Sequence, residues 1–136
     1  MPGFEDLDVW KAGCRLAVDV YSELQKTRDY GLRDQMQRAA VSISSNIAEG
    51  SERKSKKEFV QFLCIARGSC AELRTQLYIA VSVGAISADG ASKLVAETKR
   101  IAAMLTGLIT TLEPSTDDRR PSTDNQRPTT KKFFRF

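Results

Sequence analysis

Between Ser55 and Gly84 the apolar residues Phe59, Phe62, Leu63, Ala66, Cys70, Leu73, Leu77 and Ala80 recur at steps of three and four. Only a helical period places all of them on one side, so the segment is read as one long amphipathic helix. Ser55 with Glu58 three residues on has the Ser-x-x-Glu form of a capping box, and Gly84 breaks the pattern. At 1.5 Å per residue a helix over 56–83 is roughly 40 Å long, which sets the height of the domain. Val60, Cys64, Ala71, Tyr78 and Val81 form a second apolar line beside the first. The helix therefore carries more apolar surface than a small monomeric bundle covers, which points to self-association.

Three further stretches have the same period. Residues 8–26 carry Trp10, Cys14, Ala17, Val20, Tyr21 and Leu24, with Asp6 or Asp8 placed to cap the helix. Turn-forming residues 27–31 separate this stripe from Leu32, Met36, Ala39, Ala40, Ile43 and Ile47, which is expected to stop with Gly50 as the residue just beyond the helix. After Ser87 as N-cap, the fourth stripe runs through Leu94, Val95, Thr98, Ile101, Leu105, Ile109 and Leu112 until Pro114. No β alternation of useful length interrupts them. The short connections favour an all-α fold, an antiparallel up-down-up-down four-helix bundle over residues 1–112. Residues 113–136 are rich in Pro, Ser, Thr, Asp and Arg and read as a disordered basic and aromatic tail.

Composition removes several functions. The 136-residue chain contains no histidine, which excludes Ser-His-Asp and Cys-His catalysis and His-based metal or haem sites. Three cysteines, an odd number without CxxC spacing, read as reduced thiols of a cytoplasmic protein, and no apolar run is long enough to span a bilayer. No cofactor is expected. The formal charge of +4 permits attraction to nucleic acid but does not establish it, since half the excess lies in residues 113–136.

Three groups of residues carry candidate chemistry. Ser42, Ser45, Asn46 and Glu49 step along one side of the second helix, where Ser and Asn are poor choices unless bonded. Ser69, Glu72 and Gln76 on the third offer partners, so the two rows are expected to form an interhelical polar network, with close approach allowed by the small residues of the run Gly68-Ser69-Cys70-Ala71. The alternative is a carboxylate site built from Glu49, Glu72 and Asp34 for metal or acid–base work, although no metal-ligand spacing accompanies them. The second group is basic: Arg33, Arg38, Arg53, Lys54, Lys56, Lys57, Arg67 and Arg74 are candidate phosphate contacts, several around one turn. The third is the run Lys131, Lys132, Phe133, Phe134, Arg135 and Phe136, which is suited to stacking on bases, docking in a partner groove or touching an anionic membrane.

The strings Gln35-x-x-Arg38-Ala39-Ala40-Val41-Ser42-Ile43-Ser44-Ser45-Asn46-Ile47-Ala48-Glu49-Gly50 and Ala66-x-Gly68-Ser69-x-x-Glu72-Leu73, with Phe4-Glu5-Asp6-Leu7 and Val9-Trp10-Lys11 before them, resemble the four helix bundle protein family. That family is also called the 23S rRNA-intervening-sequence protein family, and the resemblance covers about residues 4–112. One departure is Ser44, which stands where the family commonly has proline, so a bend in the second helix should be weaker or absent. The resemblance implies a homopentameric barrel and a kinship with the accessory variability determinant of diversity-generating retroelements, which partners a reverse transcriptase and binds nucleic acid. The sequence thus supports a non-enzymatic, self-assembling scaffold that touches RNA or DNA. A carboxylate enzyme or metal bundle, and a module that binds protein only, remain the alternatives.

Overall fold

The computed structural model describes residues 3–113. It contains four α-helices, α1 (Asp8–Glu23), α2 (Tyr30–Ser51), α3 (Lys56–Ser82) and α4 (Ala88–Leu112), and no strand among the described residues. A short 3-10 turn, Phe4–Asp6, precedes α1, and another, Leu24–Lys26, follows it. The tail expected over 113–136 lies outside the described residues from position 114 on.

Three of the four helix starts are capped by side chains. Asp29, Ser55 and Ser87 each accept a hydrogen bond from the backbone N–H three residues on, at 3.1 Å. These satisfy donors that the first turn of a helix leaves free. At α1 the expectation fails: Leu7 occupies the cap position without a side-chain bond, and neither Asp6 nor Asp8 caps. The preceding 3-10 turn, closed by Leu7 N–H on the Phe4 carbonyl at 2.9 Å, sets the frame and packs Leu7 against the core.

Gly50 also differs from its sequence reading. It is buried inside α2, which continues to Ser51. An added Cβ there would meet Phe62 Cβ at 2.5 Å and Phe59 Cδ1 at 3.0 Å, so the glycine exists for close approach of α3. The left-handed residue is Gly84, with φ of 79°. Its N–H bonds to the Val81 carbonyl at 3.0 Å, and Ala85 N–H bonds to that of Ala80 at 2.8 Å. That pair of bonds is a Schellman motif, which satisfies carbonyls at the end of α3.

α2 and α3 form the most extensive pair and run antiparallel, since Gly50 lies against Phe62 while Ser42 meets Ser69. α1 packs on α2 and α4, with Gly13 lying directly beneath the Ser44 hydroxyl, and α3 also packs on α4. The four apolar stripes meet in one core, where Leu16, Met36, Ile43, Ile47, Leu63, Leu73, Leu77, Ile101 and Leu105 are buried. The second apolar line of α3 is largely consumed inside the chain: Val60 is buried, Tyr78 and Val81 are half-buried on the core, and only Cys64 and Ala71 are exposed. Among the described residues, no helix is long and apolar enough to cross a membrane.

Candidate functional site

The polar rows of α2 and α3 meet over part of their length. Ser42 Oγ lies 2.9 Å from Ser69 Oγ, and Asn46 Nδ2 donates to the Ser42 carbonyl at 2.8 Å and to Ser42 Oγ at 2.9 Å. Ser69 is buried and the other two are half-buried. The remaining expected members lie elsewhere. Ser45 and Glu72 are exposed, and Glu49 turns outward to Arg53 at 3.3 Å. The helical period explains the division. Ser42 and Asn46 face the α3 seam, whereas Ser45 and Glu49 lie rotated toward solvent. Gln76, further along the seam, is buried with its Oε1 unpartnered among the described residues.

Because Ser42 joins two helices, its loss removes one bond and leaves another group short. Ser42→Ala and Ser69→Ala are each expected to cost about 1–2 kcal/mol in urea unfolding, and the double variant less than their sum. Glu72→Gln should stay within about 0.5 kcal/mol. Additive effects at 42 and 69 would show that the hydroxyls act separately.

The carboxylate alternative does not assemble. The α2–α3 register places Glu49 level with Phe62 and Glu72 level with Ala39 or Ala40, about ten residues and therefore roughly 15 Å apart along the bundle. Asp34 is exposed and has Arg33 at 3.9 Å. Among the described residues there is no group of three His, Cys, Asp or Glu side chains able to hold a metal ion. Cys70 is no candidate nucleophile either, because burial pushes its thiol up to about 11, against a smaller opposing effect of Arg74.

The basic candidates divide into three places. Arg53, Lys54, Lys56 and Lys57 surround the α2–α3 turn. Arg53 is partly committed, lying over the Phe62 ring at 4.9 Å as well as against Glu49. Lys54, Lys56 and Lys57 are exposed and have no ion pair among the described residues. Arg33 and Arg38 sit on the first half of α2, with Arg33 over the Tyr30 ring at 4.6 Å and its Nε, 3.9 Å from Asp34, without a hydrogen-bond partner among the described residues. Arg67 donates to Thr106 Oγ1 at 3.1 Å and ties α3 to α4; Arg74, seven residues on, shares that side of α3.

The sequence reading missed two features. Ser44 is buried and donates to the Trp10 carbonyl at 3.2 Å, joining α1 to α2. A shallow groove of about 590 Å³ runs over α2, lined by Asp34, Gln37, Arg38, Val41, Ser42, Ser45 and Asn46, with Tyr21 of α1 at one side. Tyr21, expected in the apolar stripe of the first helix, is instead exposed on this groove, as is Val41, whose position off the α2 stripe was the available signal.

A family model described as 23S rRNA-intervening sequence protein matches residues 5–107. The fold is similar to that of a crystallised protein of unknown function from the S23 ribosomal protein family of Bacteroides thetaiotaomicron, with a TM-score of 0.70. That likeness has 22% sequence identity over 74% of this chain and 97% of the other. No match is found among curated proteins.

Proposed function

The chain belongs to the 23S rRNA-intervening sequence protein family, and on that premise we propose that it is a non-enzymatic, self-assembling helical scaffold that holds nucleic acid at its α2–α3 turn. The observation that carries this reading is the trio Lys54, Lys56 and Lys57, exposed at one end of the bundle and in no ion pair among the described residues, although Glu52 and Glu58 share the turn. Phosphates supply the missing charge, and each contact releases counterions from the nucleic acid.

Assembly multiplies a patch that is weak in one copy. The outward side of α3 supports it: Cys64, Ile65, Gly68, Ala71, Thr75 and Ile79 are exposed there, with Glu72 the charge among them. An added Cβ at Gly68 would meet nothing within 4 Å among the described residues, so this glycine serves no approach between the helices of the protomer. A homopentameric barrel of up-down bundles, in the cytoplasm, is the form we propose, with the turn repeated around the ring. A nucleic-acid enzyme such as a reverse transcriptase is the protein partner such a ring would serve.

Changing Lys54, Lys56 and Lys57 together to Glu should weaken binding to RNA or DNA by about 100-fold at low salt and reduce the dependence of log K on log salt by about two to three. Fluorescence anisotropy across a salt series measures both. Unchanged affinity, or no low-salt binding by the unaltered chain, removes the nucleic-acid role; a monomer at micromolar concentration in sedimentation removes the assembly.

A further inference from the structure

The bond from Arg67 to Thr106 fixes how α3 and α4 face each other. Only residues 83–87 join the two helices, so they run antiparallel, and seven residues toward that turn from Arg67 and from Thr106 stand Arg74 and Lys99. A step of seven returns a helical side chain to nearly the same side, about 10 Å further along. Arg74 and Lys99 therefore repeat the juxtaposition of Arg67 and Thr106 one level nearer the turn. At the first level a guanidinium meets a hydroxyl; at the second it faces another cation.

No carboxylate of these helices is placed to answer the charges. Positions 59–82 hold one acidic residue, Glu72, and positions 98–112 hold none. Glu72 is rotated about 160° around α3 from Arg74. Glu97, two residues before Lys99, is turned from it by the same angle and receives two hydrogen bonds of 3.0 Å from Arg100. Arg67, Arg74 and Lys99 take part in no ion pair among the described residues. Arg67 and Arg74 are half-buried and Lys99 is exposed. Midway between the two levels stand Ala71 on α3 and Ala103 on α4, both exposed and both too short to separate the charges.

A row of phosphates fits this strip. A compact anion answers one level only, whereas cations about 10 Å apart along two helices match a polymer with a negative charge on every unit. The large exposed side chains of α3 are the aliphatic Ile65 and Ile79, and α4 has none, so the strip offers bases no aromatic platform and its contacts fall on the backbone. The strip also continues from the α2–α3 turn. Arg67 lies ten residues past Lys57, about 15 Å along α3, and Arg74 about 10 Å beyond that.

We propose that the α3–α4 seam is a track for a phosphodiester backbone, in which Arg67, Arg74 and Lys99 carry a nucleic-acid strand onward from the α2–α3 turn. The proposal rests on the reading of that turn as a nucleic-acid contact. It adds a direction, with the strand lying along the bundle, and it assigns Lys99 a role.

Fluorescence anisotropy of labelled single-stranded RNA on the full chain, with a uridine homopolymer and with a mixed sequence, tests the track. Arg74→Gln combined with Lys99→Gln should weaken binding at least about tenfold at low salt and lower the slope of log K against log salt by about two, equally for both RNAs. Lys99→Glu alone, at an exposed side chain whose change spares the core, should also weaken binding, and Arg74→Lys should bind like the unaltered chain. Lys11→Gln combined with Arg15→Gln removes the same charge from exposed positions on α1 and should change the affinity by less than about threefold. Unchanged binding by the seam pair, while the triple lysine variant of the turn loses it, overturns the track and leaves the turn standing. No binding by the unaltered chain overturns both. An equal loss from the α1 pair overturns the track in favour of net charge, and displacement of RNA by inorganic phosphate at constant ionic strength does so in favour of a small-anion site. Sedimentation that shows the seam pair breaking an assembly apart also overturns it, since the seam is then a contact between copies.

Discussion

Truncating Leu73 to alanine lowers the stability of the bundle by about 2–5 kcal/mol, read as a shift of the urea midpoint at constant slope. Leu73 is fully buried in the α3 stripe, level with the small residues Ala39 and Ala40 of α2. The surrounding helices cannot close the space, because their separation is fixed by many other side chains, so a cavity adds to the lost transfer energy. Ile79→Ala, on the same helix but 41% exposed, should change the stability of the isolated protomer by no more than about 0.5 kcal/mol. A domain of this size is stable by only about 5–15 kcal/mol. The Leu73 variant therefore spends a large fraction of the total. A cost for Ile79→Ala that grows with protein concentration would locate that residue in the assembly interface.

Gly50→Ala is expected to destabilise by about 1–3 kcal/mol, although alanine is the better helix former by about 1 kcal/mol. The new methyl would stand 2.5 Å from Phe62 Cβ and 3.3 Å from the Phe59 carbonyl oxygen. Neither is the free end of a flexible side chain, so α2 and α3 must separate locally. Gly107→Ala supplies the opposite sign: among the described residues nothing lies within 4 Å of an added Cβ there, and the intrinsic gain of about 0.5–1 kcal/mol should appear undiminished. Thermal unfolding of the two variants side by side distinguishes steric from conformational roles for glycine. A stabilised Gly50→Ala would mean that the two helices are farther apart than the contact at Phe62 requires.

The contrast between these glycines shows where sequence reasoning stopped. Gly50 and Gly84 each follow an apolar stripe, and by local pattern both are fit to end a helix. Gly84 does so, with positive φ and the two Schellman hydrogen bonds. At Gly50 the helix continues for another residue because contact with Phe59 and Phe62 outweighs the local tendency to stop. The same limit separates Ser42 from Ser45 in the polar row. A difference of three residues rotates a side chain by 60° about the helix axis, enough to move it from the α3 seam to solvent.

The number of helices, the caps at Ser55 and Ser87, most of the core and the absence of histidine chemistry were determined by residue order alone, since they depend on period and local hydrogen bonding. So was the family, through the paired strings around Asn46 and Ser69. Tertiary structure decided which polar residues meet, which glycine allows close approach, and which apolar residues stay uncovered. Val18, Tyr21 and Val41 are exposed because α1 and α2 turn their other sides to the core. The apolar surplus noticed on α3 is largely absorbed at Val60, Tyr78 and Val81. Periodicity tells a residue which side of its own helix it occupies; only packing tells it what stands opposite.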